Sequence, residues 1–400
     1  MRPSRFYRAV LGAAAFLFFS SILPVAVPPA ESRQNHKLPK PKELDSGITW
    51  QRDRLTGELE IKTKGGAGEP VEAEETDKTA IRSTTQMVSV TCAVATADGT
   101  AVPGLKLPDF RVFDEGQEQK IAYFDASTQP ASIAMVIDAS PSVLRDSDDM
   151  KAAADALVAA LQPLDQAAVV DFAAHTYLLL PFSDVRELMR RAVDRINVKE
   201  LFGDTGGSNI YEAVYLTARE LFPGRTGRKA IILLTDGQDS GLGLTLDPAS
   251  AAPSPALPDR LTFDDLSRLL AAENIQVFAV STENRPKVMT PGWLAAHASQ
   301  SLLSVDAREL KIPAYTLYLA ELVRRAGGQL YFLREAATLA DTFRKVAQRI
   351  RAEYTLGYYP QRAQSNPGDV RGWHRVAIRV DEPDITVSHR AAYYVPATPQ

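Results

Sequence analysis

The stretch that decides the fold is IAMVIDASPSVLRD, residues 133–146. Five apolar residues, Ile133 to Ile137, match the length of a buried strand and fall short of an ordinary helix. The run then breaks into Asp138-Ala139-Ser140-Pro141-Ser142, one carboxylate and two hydroxyls spaced two apart. The question is what, at that end of a strand, uses three hard oxygen donors.

Working outward, residues 130–350 alternate short apolar runs with longer amphipathic ones. The runs are SIAMVI, AAVVDF, TYLLLPF, KAIILLT, IQVFAV and QLYFL; the helical patterns cover 149–161, 185–196, 209–222, 263–272, 317–325 and 339–352. This alternation predicts an α/β fold, a doubly wound and mostly parallel sheet of about six strands. In open sheets of this kind ligands bind at the C-terminal ends of the strands, where the loops gather. A second strand, KAIILLT, ends there in Asp236, and a third loop, GDTGGSN (203–209), brings Ser208 to the start of a helix. Thr205 is the alternative hydroxyl in that loop.

Hydroxyls and carboxylates from three loops suit an octahedral divalent cation, Mg2+ first, with Mn2+ or Ca2+ as alternatives. Asp138, Ser140, Ser142, Ser208 and Asp236 are the candidate metal ligands. They leave a coordination position for an incoming Asp or Glu carboxylate. Asp239, in DGQDS, reads as a residue behind the ligands or on the surface rather than a ligand.

This pattern resembles the von Willebrand factor A (vWA) family, whose metal-ion-dependent adhesion site (MIDAS) is written D-x-S-x-S, then a Thr in a Gly-rich loop, then an Asp after a buried strand. Asp138, Ser140 and Ser142 fit the first element and Asp236 the third. The second departs, because Ser208 stands where the family has Thr, so the hydroxyl is kept and the β-branch that restricts its rotamer is lost. Weaker metal binding is the expectation. The chain also resembles the bacterial vWA-related group named for acidobacteria, through Val88-Ser-Val90, Gly104-Leu-x-x-x-Asp109-Phe-x-Val112-Phe113, Gln119-Lys120-Ile121 and Tyr354-x-Leu356-Gly357-Tyr358-Tyr359.

The flanks of the α/β region read differently. Residues 84–127 hold strand-like runs punctuated by Asp98-Gly99 and Glu115-Gly116, a small N-terminal β unit. Strands over 351–396 are expected to pack on it, since neither group carries enough apolar surface alone. Residues 31–83, rich in Lys, Glu, Gly and Thr, read as a polar linker, with a weak hairpin where Ile48 and Trp50 alternate toward Leu59 and Ile61. Residues 1–30, with Arg2, Arg5 and Arg8 ahead of an apolar core at 9–19, read as a signal peptide, and an uncleaved anchor is the alternative. The expected location is therefore outside the cytoplasm, periplasmic or extracellular. Cys92 is the single cysteine, so no internal disulfide can form, and its alternation with Val88, Val90 and Val94 predicts a buried strand position.

Among 400 residues the net charge is −4 with no long basic run, which gives no footprint for nucleic acid. None of His36, His175, His297, His374 and His389 falls in a metalloprotease spacing, no nucleophile elbow is present, and there is no P-loop. The reading is therefore a non-enzymatic adhesion module whose partner is a protein or an extracellular or envelope ligand presenting a carboxylate. A metal-dependent hydrolase and a scaffold with a vestigial metal site are the alternatives. Two stretches interrupt the α/β pattern, 237–260 and 283–313, and both leave the sheet at the edge that carries the candidate ligands. They are expected to rim the site, with Trp293 as a contact for the partner.

Overall fold

The computed structural model describes residues 37–52, 59–63, 87–96, 102–126, 129–140, 143, 147–196, 207–240, 260–297, 301–333, 338–351, 353–361, 372–382 and 384–395. The signal-peptide reading of 1–30, the ligand Ser142, the alternative Thr205 and most of 237–260 lie outside the described residues.

The strand that opened the sequence reading, Ala131–Asp138, is buried along its whole length, as a strand covered on both faces must be. In chain order it is β8, preceded by β1 (Lys42–Glu43), β2 (Ile48–Arg52), β3 (Leu59–Thr63), β4 (Val88–Thr96), β5 (Phe110–Asp114), β6 (Gln117–Gln119) and β7 (Ile121–Asp125). It is followed by β9 (Gln166–Phe172), β10 (Thr176–Ser183), β11 (Arg228–Thr235), β12 (Ile275–Ser281), β13 (Leu330–Phe332), β14 (Glu353–Tyr358), β15 (Gly372–Val380), β16 (Ile385–His389) and β17 (Ala392–Val395). The helices are α1 (Ser147–Ala160), α2 (Arg186–Val193), α3 (Ile210–Leu221), α4 (Phe263–Ala272), α5 (Pro291–Ala296), α6 (Ala314–Ala326) and α7 (Leu339–Arg351). None of the described helices is long and apolar enough to cross a membrane.

The central sheet runs β1-β10-β9-β8-β11-β12-β13. Its members from β9 through β8, β11 and β12 to β13 are parallel, so the α/β class and the mostly parallel sheet stand. β10 is antiparallel to β9, because only three residues join them and a parallel return needs a far longer crossover. Leu157 of α1, Met189 of α2 and Phe343 of α7 pack on one face; Val214 of α3, Leu266 of α4 and Leu322 of α6 pack on the other. Two buried layers on one sheet are what place Asp138 and Asp236 side by side at a single edge.

A two-sheet sandwich lies at the other end of these strands. One sheet has the order β16-β4-β14-β7 and the other β17-β15-β5-β6, so strands from both flanks of the α/β region interleave. Val90, Cys92, Val112, Leu356, Tyr358 and Ile378 meet in its core. Cys92 is fully buried there, and burial pushes its thiol far above the ordinary range, which makes it an apolar core residue rather than a reactive one. Arg228 at the start of β11 donates to the carbonyls of Ile350 (2.5 Å) and Glu353 (2.7 Å), and the buried Arg390 donates to the carbonyls of Ala271 (3.0 Å) and Ser89. These bonds tie the sandwich to the α/β layers.

The linker reading of 31–83 needs correction over 37–52 and 59–63, the part of it that is described. Leu38 and Leu44 are buried, β1 extends the central sheet beside β10, and β2 and β3 form a hairpin in which Trp50 pairs with Ile61. The alternation turns Ile48, Trp50, Leu59 and Ile61 toward the α3/α4 face, where Trp50 meets Tyr215 edge-on at 5.5 Å. Arg52 forms a 2.7 Å ion pair with Asp265 of α4. The stretch is polar on average, but alternation rather than average composition decides whether a strand has a face to bury.

Candidate metal centre

Asp138 ends β8 with none of its surface exposed. One carboxylate oxygen accepts the Ser140 N–H at 3.0 Å and the Ser208 hydroxyl at 3.1 Å; the other accepts the Thr235 hydroxyl at 2.8 Å. These donors come from its own loop, from the residue pair that opens α3, and from the end of β11. The Asp236 carboxylate follows on β11, buried, with one oxygen accepting the Gln238 N–H at 2.9 Å. Burial pushes the Asp138 carboxyl up to about 6; donors from Ser140 and Thr235 oppose this, and the Asp236 charge adds to it. Asp138, Ser140, Ser208 and Asp236 thus share one sheet edge, and Asp138 is interior rather than a surface carboxylate.

The described end of the Gly-rich loop, residues 207–209, is held tightly. The Asn209 N–H donates to the Ala173 carbonyl (2.9 Å), its side-chain amide to the Ala174 carbonyl (2.8 Å), and the Ser240 N–H to the Ser208 carbonyl (2.8 Å). Gly207 sits at φ +45°, and a Cβ there would lie 1.9 Å from the Ser240 hydroxyl oxygen, so the glycine permits close approach of the two loops.

Two features of the rim escaped the sequence reading. On one side Glu43, Asp45 and His175 bring ligand atoms within 4.8 Å of one another, close enough to share a divalent ion. His175 Nδ1 lies 2.9 Å from Asp45 and 3.6 Å from Glu43, pairings that also fasten β1 to the turn before β10. Glu212, on the first turn of α3, is pushed up chiefly by burial and then by Asp45, and the Trp50 side chain donates to it. The usable signal was positional: His175 falls just past a parallel strand, at the ligand-bearing edge. On the other side Tyr315 of α6 packs over Gly237, and burial, then Glu283, then Asp236 push its phenol up.

In the stretch 283–313 Glu283 acts, as Asp236 does, on the Tyr315 phenol, but the bulk of the stretch is not a loose rim. Met289, Leu302 and Ile312 form a small core with Leu317 and Ala320 of α6, and the buried Glu321 accepts from the Ser301 hydroxyl and the Leu302 N–H, both at 3.1 Å. Trp293, expected to face a partner, is half-buried against this core and stacks on His297 at 4.1 Å. Leu294 beside it is the exposed apolar side chain.

With this geometry in hand, comparison with known proteins is direct. Residues 133–238, from the first residue of the opening stretch through the Asp236 loop, match the von Willebrand factor type A domain profile. This part of the chain is a von Willebrand factor type A domain. The chain is also similar to several solved structures. An aerotolerance-related membrane protein from Bacteroides fragilis is 16% identical, with a TM-score of 0.38 over 55% of this chain and 98% of its own. A von Willebrand factor type A protein from Catenulispora acidiphila is 15% identical, with a TM-score of 0.37 over 78% of this chain and 75% of its own. Proximal thread matrix protein 1 from the mussel byssus, solved with a zinc-occupied MIDAS motif, is 18% identical, with a TM-score of 0.37 over 58% of this chain and 48% of its own. No curated protein matches the chain.

Proposed function

We propose that the chain is an exported binding module whose vWA domain grips, through a divalent cation, a carboxylate on a protein or envelope partner. The observation that carries this reading is the Asp138 carboxylate, wholly buried at a strand end, with the Ser208 and Thr235 hydroxyls and the Ser140 N–H turned onto it and a second buried carboxylate, Asp236, at the end of the neighbouring strand. Among the described residues neither of these carboxylates, both taken out of water at one edge, is bonded to a basic side chain, and such a pair calls for a cation. The donors fit it, since hard oxygen atoms of Asp138, Ser140, Ser208 and Asp236, together with Ser142, suit Mg2+, and Mn2+ or Ca2+ fit the same set. When bound, the ion supplies a Lewis-acidic position open to a partner's carboxylate.

The export signal read in residues 1–30 supports a place outside the cytoplasm. The second reading, a metal-dependent hydrolase, draws on Glu212, whose raised pKa suits a general base. Against it, Glu212 accepts from Trp50 and thereby holds the β2–β3 hairpin, a structural use of the same group. The test is a pull-down from envelope extract with Mg2+ and with chelator, using the full chain and Asp138→Asn. Capture that needs both Mg2+ and Asp138 supports the proposal; capture indifferent to both removes it, and turnover of a substrate lost in Glu212→Gln would replace it with the hydrolase.

A further inference from the structure

Helix α3 opens the loop that carries Ser208, yet it lacks the usual cap. The first amides of a helix have no acceptor within it and normally receive the side chain of the N-cap residue. Here the N-cap is Asn209, and its side chain makes no capping bond; its amide is spent on the Ala174 carbonyl. The acceptor comes instead from another loop. Asp239, only 3% exposed, receives the Tyr211 N–H at 3.3 Å, at the second helical position, where an N-cap oxygen would bond. A carboxylate is favoured there, because the amino end of a helix carries partial positive charge.

Asp239 stands three residues beyond Asp236, and Ser240 after it donates its N–H to the Ser208 carbonyl at 2.8 Å. The loop after β11 therefore grips the residues before and after Asn209, on either side of the loop's attachment to Ala173 and Ala174. Ser208 is itself one of the gripped residues, and its hydroxyl is directed at Asp138 Oδ1 at 3.1 Å. The rotamer freedom that Ser has and Thr lacks is thus opposed by fixing the backbone beneath it.

We infer that Asp239 is a positioning residue of the metal site: by capping α3 from the neighbouring loop it sets the Ser208 hydroxyl and joins the second and third metal loops into one unit. The inference rests on the metal-site reading above, deepens it, and says which residue compensates for the missing Thr.

The test uses the full chain and Mn2+ alone, with bound metal read from the loss of the free-ion electron paramagnetic resonance signal. Five proteins suffice: wild type, Asp239→Ala, Asp239→Asn, Ser208→Ala, and Asp239→Ala in the Ser208→Ala background. Asp239→Ala should weaken Mn2+ binding about tenfold, while melting in chelator shows a still cooperative fold. Asp239→Asn keeps an acceptor oxygen for the Tyr211 N–H and should restore affinity to within a few-fold. In the Ser208→Ala background Asp239→Ala should cost nothing further, a result that general loosening of the fold would not give.

Asp239→Asn as weak as Asp239→Ala would mean that the charge or direct ligation matters, and would overturn the inference. So would full additivity with Ser208→Ala, or unchanged affinity in Asp239→Ala. Failure of the wild-type chain to bind Mn2+ is a different result: it removes the metal-site reading itself, and the inference with it.

Discussion

Asp138 accepts three hydrogen bonds while fully buried, so its removal has two separable consequences. Asp138→Ala leaves the Ser208 and Thr235 hydroxyls without their acceptor and should cost about 1–3 kcal/mol even without metal. Asp138→Asn keeps an acceptor for Ser140 and Ser208, and the Thr235 hydroxyl can turn to accept. Its melting temperature in chelator should stay near wild type, while the rise that Mg2+ gives the wild type disappears. Differential scanning calorimetry with Mg2+ and with chelator checks both; a retained Mg2+ shift in Asp138→Asn would exclude Asp138 as a ligand. Ser208→Thr is expected to tighten Mg2+ binding a few-fold, since the β-branch fixes the hydroxyl rotamer, and isothermal titration reads this directly. At this scale the sequence shows which side chains belong together, since strand ends and loop order place Asp138, Ser208 and Asp236 at one edge. It conceals Thr235, Tyr315 and Asp239, whose roles depend on packing between loops rather than on spacing along the chain.

Among the elements, the strands and helices of the α/β region are legible because each carries its own hydrophobic period, and the helices start and stop within a few residues of the expected positions. Strand direction is encoded less openly: the three residues between AAVVDF and TYLLLPF are its only mark, and they force β10 to run back along β9. The β2–β3 hairpin is legible in the alternation of Ile48, Trp50, Leu59 and Ile61, although the polar composition around it reads as linker. One strand end makes a pH prediction. Glu353 opens β14 almost wholly buried beside a cavity of about 30 Å3, and its Oε1 has no hydrogen-bond partner among the described residues. Burial pushes its carboxyl up to about 8, against opposing contributions from Arg228, Gln276 and Arg349; Asp125 and Lys229 line the same cavity. A carboxyl raised on folding gives stability that is full below the ordinary Glu value of 4.5 and is lost as pH climbs through about 8. Urea midpoints from pH 5 to 9 should therefore fall for the wild type and fall much less for Glu353→Gln, which is neutral throughout. Equal slopes for the two proteins would mean that Glu353 is ionised in the folded chain.

For the molecule as a whole, the unit that matters is the division of labour between the two cores. The α/β core draws on residues up to Ile350, whereas the sandwich core takes Val90, Cys92, Val94, Phe110 and Val112 from before β8 and Tyr354, Leu356, Tyr358, Val376 and Ile378 from after α7. β14 lies between β4 and β7, so it is the strand that makes one sheet of them. Composition makes the need for pairing legible, because 84–127 is too small to be stable alone, but not the order of strands, which follows from which edges remain open once the chain has crossed the α/β layers. Truncation after Arg351 removes β14 to β17 together and strips Val90, Cys92 and Val112 of the side chains that cover them. It also removes Arg390, which bonds the Ala271 and Ser89 carbonyls, and the Glu353 carbonyl that accepts from Arg228. The β4 to β7 segment should then be cut rapidly by protease, with apolar strand edges free to aggregate, while residues 129–351 persist as a protected fragment that still binds Mg2+. Limited proteolysis with mass mapping, followed by titration of the surviving fragment, measures both halves of the claim. Protection of residues 87–126 in the truncated chain would show that the N-terminal strands hold a core of their own. Loss of Mg2+ binding by an intact fragment would show that the sandwich shapes the metal edge from the far end of β8 and β11.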